Sequence, residues 1–304
     1  MMNDVTVYHY EAFSSIPGKG NPAGIMLDAD HLTDAQMQEI ATKVGFNETT
    51  FVCRSRAADV RLRYFTPGYE MDLCGHATMA SLYALRTRGL LHKDAATIET
   101  RIGVLPVELT HGQDGSEESL SMRMRQGNPE FIPFEGDEHA LLASMGLSVS
   151  DRDERYPIVY GSTGSWTVLI PIRNLEAFSR MVPDNASFPS VLTQNPKASL
   201  HPFCLETSDP QARMHARHFC PPHSGMIEDP VTGTAAGVMG AYALTYMEAH
   251  LPRTDFIVEQ GLEMGRDGRV KVEAERLSDG GMDIRVSGGA SFVTDMQIVL
   301  NESE

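Results

Sequence analysis

The feature that most constrains this chain is an internal repeat. Arg63-Tyr64-Phe65-Thr66-Pro67 is echoed by Arg217-His218-Phe219-Cys220-Pro221. Ten residues after Phe65 comes Gly75, in Leu73-Cys74-Gly75-His76-Ala77-Thr78, and fourteen after Phe219 comes Gly233, in Val231-Thr232-Gly233-Thr234-Ala235-Ala236. Runs of small and apolar residues follow both glycines and predict helices over 76–88 and 234–247. The second run has no charge from Thr234 to Met247, and a helix that is apolar all round is buried all round. Self-similarity of this kind marks a duplicated structural unit. The expected fold is therefore α/β (α+β), with two pseudo-symmetric halves, each a curled, barrel-like β-sheet around a buried central helix. At 304 residues and 41% hydrophobic content, the chain can fill two modest cores. The expected halves cover 1–125 and 126–289, with the C-terminal strand near 290–304 able to return to the first.

Local signals agree with alternating strands and helices. A strand is predicted over Val5 to Phe13, then a Gly/Pro-rich loop from Pro17 to Gly24 before the apolar run Ile25-Met26-Leu27. Thr33 with Gln36 three residues on forms a capping box, and Leu32 can staple onto Met37. Met37, Ile40, Ala41 and Val44 form that helix's buried stripe, and Gly45 supplies a left-handed stop. The β-branched and aromatic residues from Phe46 to Val52 predict a strand. Gly112 to Pro133 is acidic and Gly/Pro-punctuated, and is expected to be a crossover between the halves. Later strands are predicted at Phe256 to Glu259, Arg269 to Glu273, Met282 to Val286 and Gln297 to Leu300.

Composition excludes several functions. A formal charge of −16 opposes nucleic-acid binding, which needs a clustered basic surface. A small anionic metabolite can still be held locally at helix N-termini. The four cysteines have no Cys-x-x-Cys spacing, which suits a reducing cytoplasm and neither a disulfide framework nor a zinc ribbon. No secretory signal opens the sequence, and no apolar run reaches the roughly 18 residues that span a bilayer.

Three positions stand out chemically. A helix whose first turn is Gly75-His76-Ala77 or Gly233-Thr234-Ala235 leaves its first N–H groups without intrahelical partners. Glycine lets a ligand approach them closely. If a pseudo-twofold axis relates the halves, the two starts converge on one cleft and could grip one carboxylate. Either start read alone is equally a capped helix end without a ligand. Glu228-Asp229 precedes the second start; an acid pair there can serve only the helix dipole, or Asp229 can orient a substrate amine or hydroxyl. Glu48 lies in the otherwise uncharged run from Val44 to Val52. An apolar setting would raise its pKa towards the range useful for proton transfer, whereas on the polar face of a strand it would meet solvent. His215, His218, Cys220 and His223 superficially suggest a metal site, but fit no common zinc spacing. Gly20-Asn21-Pro22-Ala23-Gly24 lacks the lysine of a phosphate loop, and no Gly-x-Gly-x-x-Gly follows a strand. Neither a metal nor an organic cofactor is expected.

Six blocks, in order from residue 20 to residue 261, resemble the motif series of the phenazine-biosynthesis (PhzF) isomerase family. They are Gly20 to Gly24, Asn47-Glu48-Thr49-Thr50-Phe51-Val52, Arg63 to Pro67, Leu73 to Thr78, Glu228 to Gly237, and Glu259-Gln260-Gly261. The resemblance implies a diaminopimelate-epimerase-like fold, an active site in the cleft between the halves, and a homodimer. It also implies a cofactor-independent isomerase that moves a proton between carbons of a small carboxylate-bearing cyclic or unsaturated metabolite, such as a dihydro-hydroxyanthranilate-like compound. Glu48 matches the family's catalytic glutamate, and His76 and Asp229 match residues that position substrate and assist proton movement. Gly75 and Thr234 match the two helix-start positions that hold its carboxylate, where the family also shows serine in place of Thr234, and Gly233 beside Thr234 joins them as a candidate substrate-binding residue. Glu11 stands where aspartate is common. Related epimerases use two thiols; here the first position is Cys74, but the repeat puts Thr232 at the second. A threonine hydroxyl is too weak an acid to replace a thiolate. An amino-acid epimerase or racemase and a non-catalytic metabolite-binding protein are the alternatives, and the substrate itself is not named by these residues.

Overall fold

A computed structural model describes residues 4–111 and 120–301. The chain divides into two compact units, Met1–Met124 with Ser287–Glu304, and Arg125–Val286.

In the first unit the strand Asp4–Ala12 pairs antiparallel with both Ala290–Val299 and Asn21–Met26. The pairing then runs parallel to Thr49–Cys53, antiparallel to Val60–Phe65, parallel to Ala95–Thr100 and antiparallel to Gly103–Thr110. The helix Gly75–Thr87 packs on the strands Asp4–Ala12, Asn21–Met26, Thr49–Cys53 and Ala290–Val299. It also reaches a further strand, where the Tyr64 hydroxyl lies 2.6 Å from Thr78 Oγ1. One helix touches that many consecutive strands only if the sheet curls around it. Small residues allow this close approach: Ala77, Ala80, Ser81 and Ala84 are all buried. On the sheet's other face, the helix Asp34–Val44 covers Val7, Met26, Phe51 and Phe65 with Met37, Ile40 and Ala41. Fully burying a side chain of that size contributes about 1.5–3 kcal/mol. Its capping box is formed, with Gln36 N donating to Thr33 Oγ1 and Thr33 N donating to Gln36 Oε1. Gly45 ends it at φ 72°.

The second unit repeats the order of pairings. Glu130–Pro133 and Val159–Ser162 are antiparallel, as are Val159–Ser162 and Trp166–Pro171. Then follow a parallel step to Ser199–Cys204, an antiparallel step to Met214–Ala216, a parallel step to Arg253–Gln260 and an antiparallel step to Gly268–Arg276. The helix Gly233–Tyr242 packs on Val159–Ser162 near one end of this order and on Gly268–Arg276 at the other. The sheet therefore closes around it. All its residues from Ala235 to Tyr242 are buried. Gly240 is required there, because a Cβ would lie 2.5 Å from Val272 Cγ1. Short helices Glu138–Ala143, Leu175–Arg180 and Phe188–Val191 seal the outer face with Leu141, Leu142, Phe178 and Phe188.

Several local expectations change. The loop from Pro17 to Gly24 is a strand from Asn21 onward, since Asn21 and Pro22 stand opposite Ala12 and Glu11 in the ladder. A Cβ on Gly24 would be crowded there, with Thr49, Val44 and Val7 about 3 Å from where it would sit. The strand expected from Phe46 begins only at Thr49. Of the expected crossover from Gly112 to Pro133, residues 112–119 lie outside the described residues. Its remainder contains the strands Ser121–Arg125 and Glu130–Pro133. The helix expected to reach Met247 is α-helical only to Tyr242 and then widens into a looser turn over Ala243–Met247. The last strand is longer than expected, Ala290–Val299, because pairing with Asp4–Ala12 extends it beyond its apolar core.

Candidate active site

In the first unit, Cys74 is the N-cap of the helix Gly75–Thr87 and makes no side-chain cap bond. Its backbone carbonyl is instead held by the Thr78 hydroxyl at 2.7 Å, and its sulfur lies 3.3 Å from His76 Nδ1. On the other edge of that ring, His76 Nε2 is 3.1 Å from Glu48 Oε2. This is an ion-pair distance without the alignment of a hydrogen bond, since Glu48 Oε2 makes none. Glu48 sits just ahead of the strand Thr49–Cys53, and its backbone carbonyl accepts from Gly24 N at 3.1 Å. The residue is only 7% exposed. It does not face solvent from a strand, because it is outside the strand's alternation. Beside this group, among the described residues and apart from its chain neighbours and its own helix backbone, nothing lies within 4 Å of where a Cβ on Gly75 would be. The helix start is open to a ligand on that side.

The electrostatics follow from burial and proximity. Burial opposes protonation of His76, but the Cys74 sulfur and the Glu48 carboxylate hold its pKa well above the ordinary histidine value. Burial, then the Glu48 carboxylate, push the Cys74 thiol up. His76 is thus held towards its protonated form and Cys74 towards its thiol. The donor atoms of Glu48, Cys74 and His76 lie within 4.8 Å of one another, a set that suits zinc. A metal ion there would first have to displace the thiol and imidazolium protons.

The raised His76 pKa has a consequence for stability. A histidine protonated more readily in the folded chain stabilises it in full below the unfolded pKa of about 6.5. That contribution is lost as pH rises through the folded value. His76→Gln is expected to flatten the fall in unfolding midpoint above about pH 6.5. His215, whose pKa is also raised, keeps its share of the slope. The check is thermal unfolding of both proteins across that range, and identical slopes would refute the assignment.

In the second unit, the acid pair divides its tasks. Glu228 receives Arg217 Nε at 2.8 Å and Nη2 at 2.7 Å. Asp229 stays in the loop before the helix Gly233–Tyr242, its Oδ2 accepting from the Thr232 hydroxyl at 2.5 Å. Thr163, in the Gly161-Ser162-Thr163-Gly164 segment, donates its hydroxyl to Thr234 O at 3.3 Å. The hydrogen bonds of Thr232, Thr163 and Gln260 around this helix start escaped sequence reasoning, although the repeat singled out Thr232 and the Glu259-Gln260-Gly261 block contains Gln260. The histidines that suggested a metal site have separate partners. His215 is clamped between Glu259 and Glu263, each at 2.8 Å. His218 Nδ1 meets His201 Nδ1 at 3.1 Å, and burial lowers the His218 pKa to about 4.

Comparison with known proteins places the chain in a family. The family model described as phenazine biosynthesis-like protein matches residues 10–296. An uncharacterized isomerase of Bacillus subtilis, YfhB, is 48% identical over 292 residues, 96% of this chain and 97% of that protein. The trans-2,3-dihydro-3-hydroxyanthranilate isomerase of Pseudomonas aeruginosa is 31% identical, covering 93% of this chain and 95% of its own length. A crystal structure of a Bacillus anthracis phenazine biosynthesis protein of the PhzF family superposes with a TM-score of 0.95 at 51% identity, covering 98% of this chain and 100% of that one. The chain belongs to the phenazine biosynthesis-like (PhzC–PhzF) family, and is an isomerase.

Proposed function

We propose that the chain moves a proton between two carbons of a small carboxylate-bearing, cyclic or unsaturated metabolite, of the dihydro-hydroxyanthranilate type named for the Pseudomonas aeruginosa relative. The observation that carries this is the buried Glu48 carboxylate 3.1 Å from His76 Nε2 at a helix start. Glu48 takes the proton as one C–H bond breaks, the double bond shifts along the substrate, and the same carboxyl returns the proton to the second carbon. The imidazolium of His76 offsets negative charge that develops during transfer. The candidate donors to the substrate carboxylate are the backbone N–H groups at Gly75 and those at Gly233 and Thr234, and the candidate group to orient its polar substituent is Asp229. The reading needs no metal or organic cofactor.

We further propose a cytoplasmic homodimer with a small anionic metabolite as its partner, and neither nucleic acid nor membrane. Its four cysteines are free, its net charge is −16, and among the described residues no helix is long and apolar enough to cross a membrane.

The contact between Cys74 Sγ and His76 favours a second reading, epimerisation by a thiol base. Against it stand the raised thiol pKa and the Thr232 hydroxyl, which is engaged with Asp229. The test is incubation with a panel of dihydroaromatic acids and amino acids in heavy water, followed by NMR. Deuterium is expected at a new carbon of a dihydroaromatic acid, and Cys74→Ala is expected to keep substantial turnover. Deuterium at the Cα of an amino acid with inversion, abolished in folded Cys74→Ala, would establish the epimerase instead.

A further inference from the structure

The loop leading into the helix Gly233–Tyr242 is held far more tightly than a helix start requires. Gln260, 1% exposed at the end of the strand Arg253–Gln260, spends one side-chain amide on it. Its Nε2 donates to Asp229 O at 2.8 Å, and its Oε1 accepts from Thr232 N at 3.2 Å. The same Nε2 is 3.3 Å from Thr232 Oγ1, which leaves the hydroxyl proton directed at Asp229 Oδ2, 2.5 Å away. Asp229 N donates to His218 O at 2.9 Å. Two glycines then seat the loop. Gly261, at φ 93°, has no room for a Cβ, which would lie 2.6 Å from Pro230 O, and a Cβ on Gly268 would lie 2.1 Å from Val231 Cγ2.

We propose that Thr232, braced by Gln260, is a positioning residue that sets the rotation of the Asp229 carboxylate towards the substrate. This rests on the reading of Asp229 as a substrate contact. The repeat supports it independently. In each unit, the residue before the first glycine of the central helix touches a side chain proposed to meet substrate: Cys74 Sγ on His76 in one, Thr232 Oγ1 on Asp229 in the other. The position that cannot supply a second thiol base thus has a different task. A hydroxyl whose proton is committed to one carboxylate oxygen helps to fix that oxygen's direction before the substrate binds.

The experiment is a double-mutant cycle on Thr232→Val and Asp229→Asn, using whichever compound of the heavy-water panel turns over. Loss of a hydrogen bond to a charged group is expected to lower kcat/KM by about tenfold or more. Thr232→Ser should recover most of that loss, and the double mutant should fall no further than Asp229→Asn alone. A merely structural role would instead move the unfolding midpoint and multiply the losses. If Thr232→Val does not fold, Thr232→Ala takes its place in the cycle. Amide hydrogen exchange gives a readout without substrate: exchange at residues 229–233 should quicken in Thr232→Val and stay as in wild type elsewhere. Wild-type kcat/KM in folded Thr232→Val beside an impaired Asp229→Asn overturns the inference alone, as does unchanged exchange. Wild-type turnover in Asp229→Asn overturns the reading of Asp229, and the inference with it.

Discussion

Glu48→Gln is expected to bind the substrate normally and to lose turnover by roughly 10³- to 10⁴-fold. Removing a general acid–base usually costs about 10²–10⁴, and a group that must both take and return the proton belongs at the severe end. The substitution keeps the side chain's shape, so the backbone bond from Gly24 N to Glu48 O remains, and folding should survive. It also leaves the His76 imidazolium without its carboxylate, so the ring should titrate at lower pH in the variant. Asp229→Asn is expected to be milder, since Asp229 orients the substrate and does not carry the proton. Steady-state kinetics with the deuterium-incorporating substrate, and ligand binding by calorimetry, separate the two effects. A Glu48→Gln protein that binds normally and turns over within about threefold of wild type, far less than such removals cost, would end this mechanism and make His76 the next candidate base.

Arg217→Met is expected to destabilise the second unit by about 3–5 kcal/mol, the usual cost of breaking a buried ion pair from one side. The guanidinium makes two parallel bonds to Glu228, donates to Phe178 O at 2.9 Å and Met181 O at 3.2 Å, and lies 4.8 Å from the centroid of the Phe219 ring. Its removal strands a carboxylate that is only 9% exposed and takes a donor from the Met181 carbonyl, while Phe178 O keeps its bond from Met181 N. Its repeat counterpart Arg63 holds Glu70 and Asp34, but Asp34 is 82% exposed. Arg63→Met should therefore cost less, because water can take over one of its partners. The single tryptophan, Trp166, lies in the second unit, so urea unfolding followed by its fluorescence reports the affected unit directly. A smaller shift for Arg217→Met than for Arg63→Met would contradict this account. Replacing both partners, with Arg217→Met and Glu228→Leu, should recover part of the loss, since no buried charge then remains unpaired.

These two expectations come from different sources of information. The repeat, the capped helix Asp34–Val44 and the two central helices were legible in the residues alone, because periodicity, caps and uniform apolarity are local properties of the chain. The family resemblance was legible for a similar reason, since its motifs are short and contiguous. The second-unit strands Val159–Ser162, Trp166–Pro171 and Ser199–Cys204 carried no such signal. They are buried on both faces, and a buried strand loses the alternation that would reveal it. Glu48 shows the same limit at the site. Its neighbours in sequence were apolar, but whether it met solvent or His76 depended on where Thr49–Cys53 begins and on a helix 28 positions further on. Likewise Glu228 and Asp229 are adjacent acids that sequence could not tell apart. Tertiary structure gives one to Arg217 and the other to Thr232. Composition and local pattern determined where the capped and uniformly apolar helices form and which residue types are available for proton chemistry. Only the long-range pairing of strands decided which of those side chains meet, because a hydrogen bond or an ion pair is set by distances of a few ångströms between segments far apart in the chain.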